Sequence, residues 1–350
     1  MTLKPVRIDI RSSATRRIPM KHPHPICFSP EFTPEQGDIV VGKILRIGQH
    51  GRIEIIGGRE VILRPGLFAA LVLGRRYSTW EFNGEIPKDL EPGQVFHLLN
   101  TGGVAGVKVE KNQLAMEPTT LEFLGYVSNS SGQKENLRHH TVRPKNGRPL
   151  PTVIMVVGAD MEVGKTTSAV WAIRELVRTG HKTSGVKLTG TTRMKDLFAM
   201  KDAGADPILD FVDFGLPSTF GASTEVIERT FEQMRTASAA SHCDYMVVEV
   251  ADGIFQPESH GILRNKAIMN EVPLLLFAAA DSVAVFGGYA YLRQFGHLPD
   301  LLTGLFTASP LKIREVESRC SAPIFSDDSQ HRARFLELAG QVRDAERRPK

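Results

Sequence analysis

Cysteine is scarce in this chain of 350 residues: Cys27, Cys243 and Cys320 stand far apart, with no CxxC pair. That spacing excludes a disulfide framework, a zinc knuckle and an iron–sulfur scaffold, and it leads us to expect a reducing, cytoplasmic setting. Long apolar runs are missing as well. The longest, Val272 to Ala280, is too short to span a bilayer and stops at Asp281, so no membrane is expected as a partner. Aromatics make up only 7% of residues and no basic stretch is interleaved with them, so nucleic acid is not expected either. Neither sign of charge dominates, the formal net charge being +4. The basic residues that do gather lie near the two ends (Arg11, Arg16, Arg17, Lys21; Arg343, Arg347, Arg348, Lys350) and read as solvated termini. No hydrophobic signal core opens the sequence, and Asp9 with the early prolines speaks against an organelle-targeting segment.

What is present divides the chain into parts. Residues 1–36 contain Pro5, Pro19, Pro23, Pro25, Pro30 and Pro34, which predict an irregular arm. His22 and His24 lie in it without an acidic or sulfur neighbour and are expected as surface histidines. Residues 37–145 carry short β-rich runs at regular spacing: Asp38–Ile47, Arg52–Ile56, Glu60–Leu63, Leu67–Leu73, Val95–Leu99 and Val104–Val109, with Gly and Pro between them. This pattern predicts a small, mainly-β, barrel-like domain. The polar stretch 128–151 marks the boundary. Over residues 150–335 strand patterns alternate with helical ones, the signature of a parallel sheet with right-handed crossovers. Residues 336–350 are expected as a C-terminal tail. The fold class expected is α/β, a parallel sheet with flanking helices preceded by the small β domain, and the loop Gly158 to Thr167 makes it a P-loop NTPase sheet.

The stretch Val153 to Thr167 carries the chemistry. A β-branched apolar run ends at Gly158, a loop closes on Gly164-Lys165-Thr166-Thr167, and an amphipathic segment follows. That is the sequence form of strand, phosphate-cradling loop and helix. Backbone N–H groups at the helix start point at an anion, and the Lys165 ammonium adds a point charge against the outer phosphates. The candidate nucleotide-binding residues are Gly158, Asp160, Glu162, Val163, Gly164, Lys165, Thr166 and Thr167. Thr167 contacts the inner phosphate, and the Thr166 hydroxyl completes the shell of a Mg2+ ion. Five residues separate the two glycines, one more than in a standard phosphate loop, and no lysine follows Gly158.

Functional groups in such a sheet belong at the C-terminal ends of the strands. Tyr245–Val250 ends near Glu249 and is followed by Asp252, placing an acid where Mg2+ or a nucleophile is organised. Gly185-Val186-Lys187 places a lysine at the tip of the second strand, able to face phosphates or an anionic substrate. The acidic segment that follows holds Asp196, Asp202, Asp206, Asp210 and Asp213, of which Asp202 is the expected second metal-organising carboxylate. Residues 210–219 read as an ordered loop suited to covering a substrate.

The run Gly158-Ala159-Asp160-Met161-Glu162-Val163-Gly164-Lys165-Thr166 resembles the loop of dethiobiotin synthetase, which has the same five-residue spacing. Gly185-Val186-Lys187 is similar to that family's Gly-x-Lys, and Val248-Glu249-Val250-Ala251-Asp252-Gly253 to its Val-Glu-Gly-Ala-Gly-Gly segment. The resemblance covers about residues 152–325. It implies that Lys165 and Thr166 bind nucleotide phosphates and Mg2+, that Glu249 and Asp202 hold metal, and that Lys187 contacts the reacting substrate. It also implies an ATP-dependent step through a phosphorylated or carboxy-phosphate-like intermediate. Asp252 stands where the family has a small residue, and the segment 304–308 lacks the asparagine that reads adenine. The chain also resembles two-domain NTPase-like proteins, some of them linked to N-acyl amino acid metabolism. The function expected is a synthetase- or ligase-like enzyme, homodimeric, that uses ATP and Mg2+ to activate a small anionic metabolite, with Lys165, Lys187 and Glu249 as its catalytic groups. The alternatives are a nucleotide-dependent ATPase or GTPase switch that uses the β domain to bind a partner, and a small-molecule kinase.

Overall fold

A computed structural model describes residues 2–20, 23–129, 131–144 and 149–347. Two compact units emerge. The first takes Met1–Val142 together with Thr191–Lys195 and Phe211–Gly221, and the second takes the remainder.

The first unit is built on β1 (Thr2–Val6), β2 (Ile10–Arg11), β3 (His24–Phe28), β4 (Ile39–Arg46), β5 (Arg52–Glu54), β6 (Glu60–Ile62), β7 (Phe68–Leu73), β8 (Phe82–Glu85), β9 (Val95–Leu98), β10 (Val104–Lys111) and β11 (Thr120–Val127). Strand β4 pairs with β7, β7 with β10, β10 with β9, β9 with β11, and β11 with β4 again. The ring is closed, so the barrel has no free edge at these five strands. Leu71, Phe96, Leu98, Ala105, Leu121 and Phe123 belong to its buried core, with Phe96 meeting Phe123 edge to face at 6.2 Å. The hairpin β5–β6 forms a small sheet of its own.

The N-terminal stretch corrects the expectation of an irregular arm. Strands β1 and β3 pair antiparallel, with Pro5 directly opposite Pro25. Each proline removes one donor at the same register position, and β1 is an edge strand, so the neighbouring pairs still form. His24 is buried, its Nε2 3.1 Å from the Ser128 carbonyl oxygen, rather than at the surface. His22 lies outside the described residues. The stretch expected to cover a substrate is ordered within the first unit from Phe211 onward: Phe211 and Val212 are buried and Asp213 pairs with Arg16 at 3.2 Å.

The second unit is a parallel sheet of β12 (Thr152–Gly158), β13 (Thr183–Lys187), β14 (Ile208–Asp210), β15 (Tyr245–Glu249), β16 (Leu274–Ala278) and β17 (Leu301–Thr303), ordered β14-β13-β15-β12-β16-β17. Its helices are α1 (Lys165–Arg178), α2 (Met194–Asp202), α3 (Thr224–Ala240), α4 (Pro257–Arg264), α5 (Lys266–Met269), α6 (Ser282–Arg293), α7 (Pro310–Glu317) and α8 (Ser329–Arg347). This is a P-loop NTPase fold. Every residue of β12 is buried, as a strand covered on both faces must be, which is why it reads as an unbroken apolar run. Helix α1 packs Ala169, Ala172, Ile173 and Leu176 onto the sheet, the spacing of one helical face.

Residues expected as a C-terminal tail continue α8 to Arg347. Phe335 and Ala339 are buried, and the Tyr245 hydroxyl donates to the Ala339 carbonyl at 3.2 Å. Arg343 pairs with Asp244, so part of the basic cluster is structural rather than solvated. No helix among the described residues is long and apolar enough to cross a membrane.

The cysteines give a test of this packing. Cys27 and Cys243 are buried, and burial pushes the Cys243 thiol up to about 11 while the Ser184 hydroxyl pulls the other way. At pH 8 a thiol with that pKa is about one part in a thousand thiolate, the reactive form. A disulfide-exchange reagent at pH 8 is expected to modify Cys320 within minutes and the other two only after unfolding. Rapid reaction at Cys243 is the outcome that contradicts the packing.

Candidate nucleotide and anion site

The site starts from a turn that only glycine allows. A Cβ on Gly158 would lie 2.8 Å from both Lys165 Cδ and Val163 Cγ2, so the strand end leaves room for the lysine stem only because it carries no side chain. The loop then returns through Glu162 and Gly164, both with positive φ (58° and 98°), and Gly164 opens α1. The loop is braced from the opposite side. Leu305 N–H donates to the Val163 carbonyl at 3.0 Å. Gly304, at φ 108°, has no space for a Cβ, which would meet the same carbonyl oxygen at 2.5 Å. Ser168 on α1 donates to the Gly164 carbonyl, and its hydroxyl lies 2.8 Å from that of Thr303.

Within this frame the Lys165 ammonium donates to the Asp160 carbonyl at 2.6 Å. Burial pulls this lysine below its ordinary value, while the charges of Glu249, Asp252 and Asp160 oppose the shift. Asp160 and Glu162 are exposed on the loop, Val163 is buried beneath it, and in the first turn of α1 Thr166 is half-buried and Thr167 exposed. Thr166 donates to Glu249 Oε1 at 3.0 Å.

Register brings the rest together. Glu249 on β15 stands opposite Val156 on β12 and opposite Lys187 on β13, so the glutamate lies between the strand that enters the phosphate loop and the strand that ends in Lys187. Neighbouring residues in a parallel ladder point to the same face. Lys187 is buried and pairs with Asp196 in the first turn of α2. Burial alone would lower Lys187, but the carboxylates of Asp196, Glu249 and Asp252 outweigh it and hold the ammonium above the usual lysine range. For Glu249 burial prevails and pushes the carboxyl up, with Lys187 and Lys165 pulling it back. Asp252 follows in a left-handed conformation (φ 65°), and Gly253 is seated against the loop, a Cβ there falling 2.7 Å from the Ala159 carbonyl oxygen.

Asp202 is not brought to this cluster. It stands exposed at the C-terminal end of α2, about six residues of helical rise (roughly 9 Å) from Asp196. The carboxylate of that segment which reaches the site is Asp196, because the helix turns its first turn, not its last, toward Lys187. Sequence reasoning also missed Gly304 and the Ser168–Thr303 pair; the signal was a glycine immediately after the last strand of the sheet.

The donor set suits Mg2+. Glu249 Oε2 is buried without a hydrogen-bond partner among the described residues, and the Thr166 hydroxyl is its neighbour across the loop. No group of three or more His, Cys, Asp or Glu side chains with metal-binding spacing occurs among the described residues. Mg2+ rarely needs such a cage, being held by one or two protein oxygens, substrate phosphates and water.

No protein-family model matches the chain, and no curated protein matches it. Among solved structures it is similar to the signal recognition particle receptor FtsY from Elizabethkingia anophelis, at 16% identity and a TM-score of 0.37, over 59% of this chain and 68% of that one. It is also similar to the 54 kDa signal recognition particle protein of Aeropyrum pernix K1 in complex with GDP, at 18% identity and a TM-score of 0.33, spanning 57% of this chain but only 41% of that one. A DUF1611-family protein from Anabaena variabilis matches at 12% identity and a TM-score of 0.37, over 59% of this chain and 63% of that one. These likenesses are distant; the fold rests on the strand order, the loop and the helix that follows it.

Proposed function

We propose that this protein is an ATP- and Mg2+-dependent enzyme that activates a small anionic metabolite, a carboxylate or a carbamate, by phosphoryl transfer. The observation that carries this reading is Lys187: a buried ammonium beside the phosphate loop, additional to Lys165 and held in place by Asp196. A nucleotide switch has no need of a second buried cation at that position, whereas an anionic acceptor has. In this reading the loop amides and Lys165 stabilise charge on the transferred phosphoryl group, by position and electrostatics rather than covalent chemistry. Lys187 orients the acceptor anion toward that group. Thr166 and Glu249 hold Mg2+, which neutralises phosphate charge when bound. Thr167 contacts the inner phosphate. Asp196 is a positioning residue: it keeps Lys187 charged and aimed.

The test is nucleotide turnover by the purified full-length protein, with ATP and GTP compared, in the presence and absence of a panel of small carboxylates and carbamates. At least one acceptor is expected to raise turnover about tenfold or more over the basal rate, with the nucleoside diphosphate formed in step with a modified acceptor. Slow basal hydrolysis indifferent to every acceptor, yet stimulated by a protein partner, would replace this reading with the switch. A stable phosphorylated product would replace it with a small-molecule kinase.

A further inference from the structure

A cavity of about 580 Å³ lies in the first unit, between residues 8–11, the β5–β6 hairpin and Leu67. Its walls are aliphatic. Ile8 and Ile10 are buried, whereas Ile56 and Ile62 of the hairpin are 40% and 56% exposed. Six β-branched side chains (Ile8, Ile10, Ile55, Ile56, Val61 and Ile62) thus line one concave surface, and the four from the hairpin are left partly in water, where covering them is favourable. No aromatic ring lines the cavity, so a nucleobase has nothing to stack on there.

The polar groups at the same place carry a net positive charge. Asp9 is occupied locally: its Oδ2 accepts from the Phe68 N–H at 3.0 Å, and its Oδ1 lies 3.9 Å from Arg7 Nε. Arg11 commits only one nitrogen, Nη2, to the Ile18 carbonyl at 2.7 Å, and its Nε is buried without a partner among the described residues. Arg59, exposed between β5 and β6, makes no side-chain hydrogen bond or ion pair among the described residues. Two guanidiniums with spare donors therefore border an aliphatic hollow whose one acid is already paired. A guanidinium is suited to a carboxylate, and the volume is that of a small-molecule site.

We propose that this cavity binds a small amphiphilic anion: an aliphatic body that covers the isoleucine walls and a carboxylate that meets Arg11 and Arg59. The site is independent of the phosphate loop, and so is its test.

The experiment is a titration of the full-length protein with sodium octanoate, followed by calorimetry and by NMR of the isoleucine methyl groups. Saturable binding of one octanoate per chain is expected, with shifts concentrated at Ile8, Ile10, Ile56 and Ile62. Heptylammonium, with the same alkyl tail and the opposite charge, is expected to bind at least about tenfold more weakly. Arg59→Gln is expected to weaken octanoate about threefold to tenfold. Ile62→Asp is expected to remove binding while the melting temperature stays within a degree or two, since both side chains are exposed. Equal binding of the two amphiphiles, indifference to Arg59→Gln, self-association in place of saturation, or no saturable binding up to about 10 mM overturns the proposal.

Discussion

Lys165→Ala is expected to lower single-turnover phosphoryl release by about 10²–10³-fold, the effect of removing one preorganised donor from a developing oxyanion. The lysine is buried, its stem fills the space that Gly158 leaves, and its ammonium bridges the loop to the Asp160 carbonyl. A phosphate entering the loop would take over that ammonium at little reorganisation cost, because the surrounding backbone is already braced by Gly304 and Leu305. Alanine removes the charge without disturbing the strand or the helix, so far-UV circular dichroism should be unchanged. Lys165→Arg is not expected to rescue: the guanidinium fork is broader than an ammonium, and the stem is already packed against Gly158. The measurement is phosphate release at saturating Mg-nucleotide, with binding followed separately by a fluorescent nucleotide. A variant that retains wild-type release would dissociate the loop from the chemistry.

The second large effect is expected from Glu249→Gln. The substitution keeps the shape of the side chain and an oxygen for the Thr166 hydroxyl, but it deletes the negative charge that stands between Lys187 and Lys165. Two consequences follow. The Mg2+ concentration for half-maximal turnover should rise about tenfold or more, because a neutral amide is a far poorer ligand for a hard cation than a carboxylate. Stability should stay the same or rise slightly, because burial already disfavours the Glu249 charge and Lys187 keeps Asp196 as its ion-pair partner. Magnesium titrations of turnover and a thermal melt measure the two effects separately. An unchanged Mg2+ midpoint would show that Glu249 is a structural carboxylate. Asp202→Asn provides the contrast: that side chain is exposed at the far end of α2, so neither quantity should move.

The elements most easily read were those with a strong local period. The spacing of apolar residues predicts a helix over 165–178 and another over 224–240, and both occur with those bounds. The apolar strands β12, β15 and β16 were equally legible, because burial on both faces leaves their interiors hydrophobic. Elements without that signature were missed. Phe82–Glu85 contains Asn and Gly and shows no alternation, and Thr120–Val127 is broken by a register shift between Phe123 and Gly125. Helix α8 is rich in charge, and the stripe that docks it is thin, with Phe335 and Ala339 as its fully buried members. The prolines of the first 36 residues misled because proline excludes a strand only where its missing N–H would have been paired.

By itself the sequence determined that the chain has a phosphate loop, which strand and helix flank it, and that a lysine and a glutamate end two other strands. These follow from local spacing, since the loop, its glycines and the helix start are all within about fifteen residues of one another. Only the tertiary structure decided that Lys187 and Glu249 are neighbours, because they are far apart in the chain and their pairing depends on the register of β13 against β15. It likewise chose Asp196 over Asp202. Both acids lie on one short helix, and which end of that helix faces the strand tips is a matter of packing that no residue in the segment encodes locally.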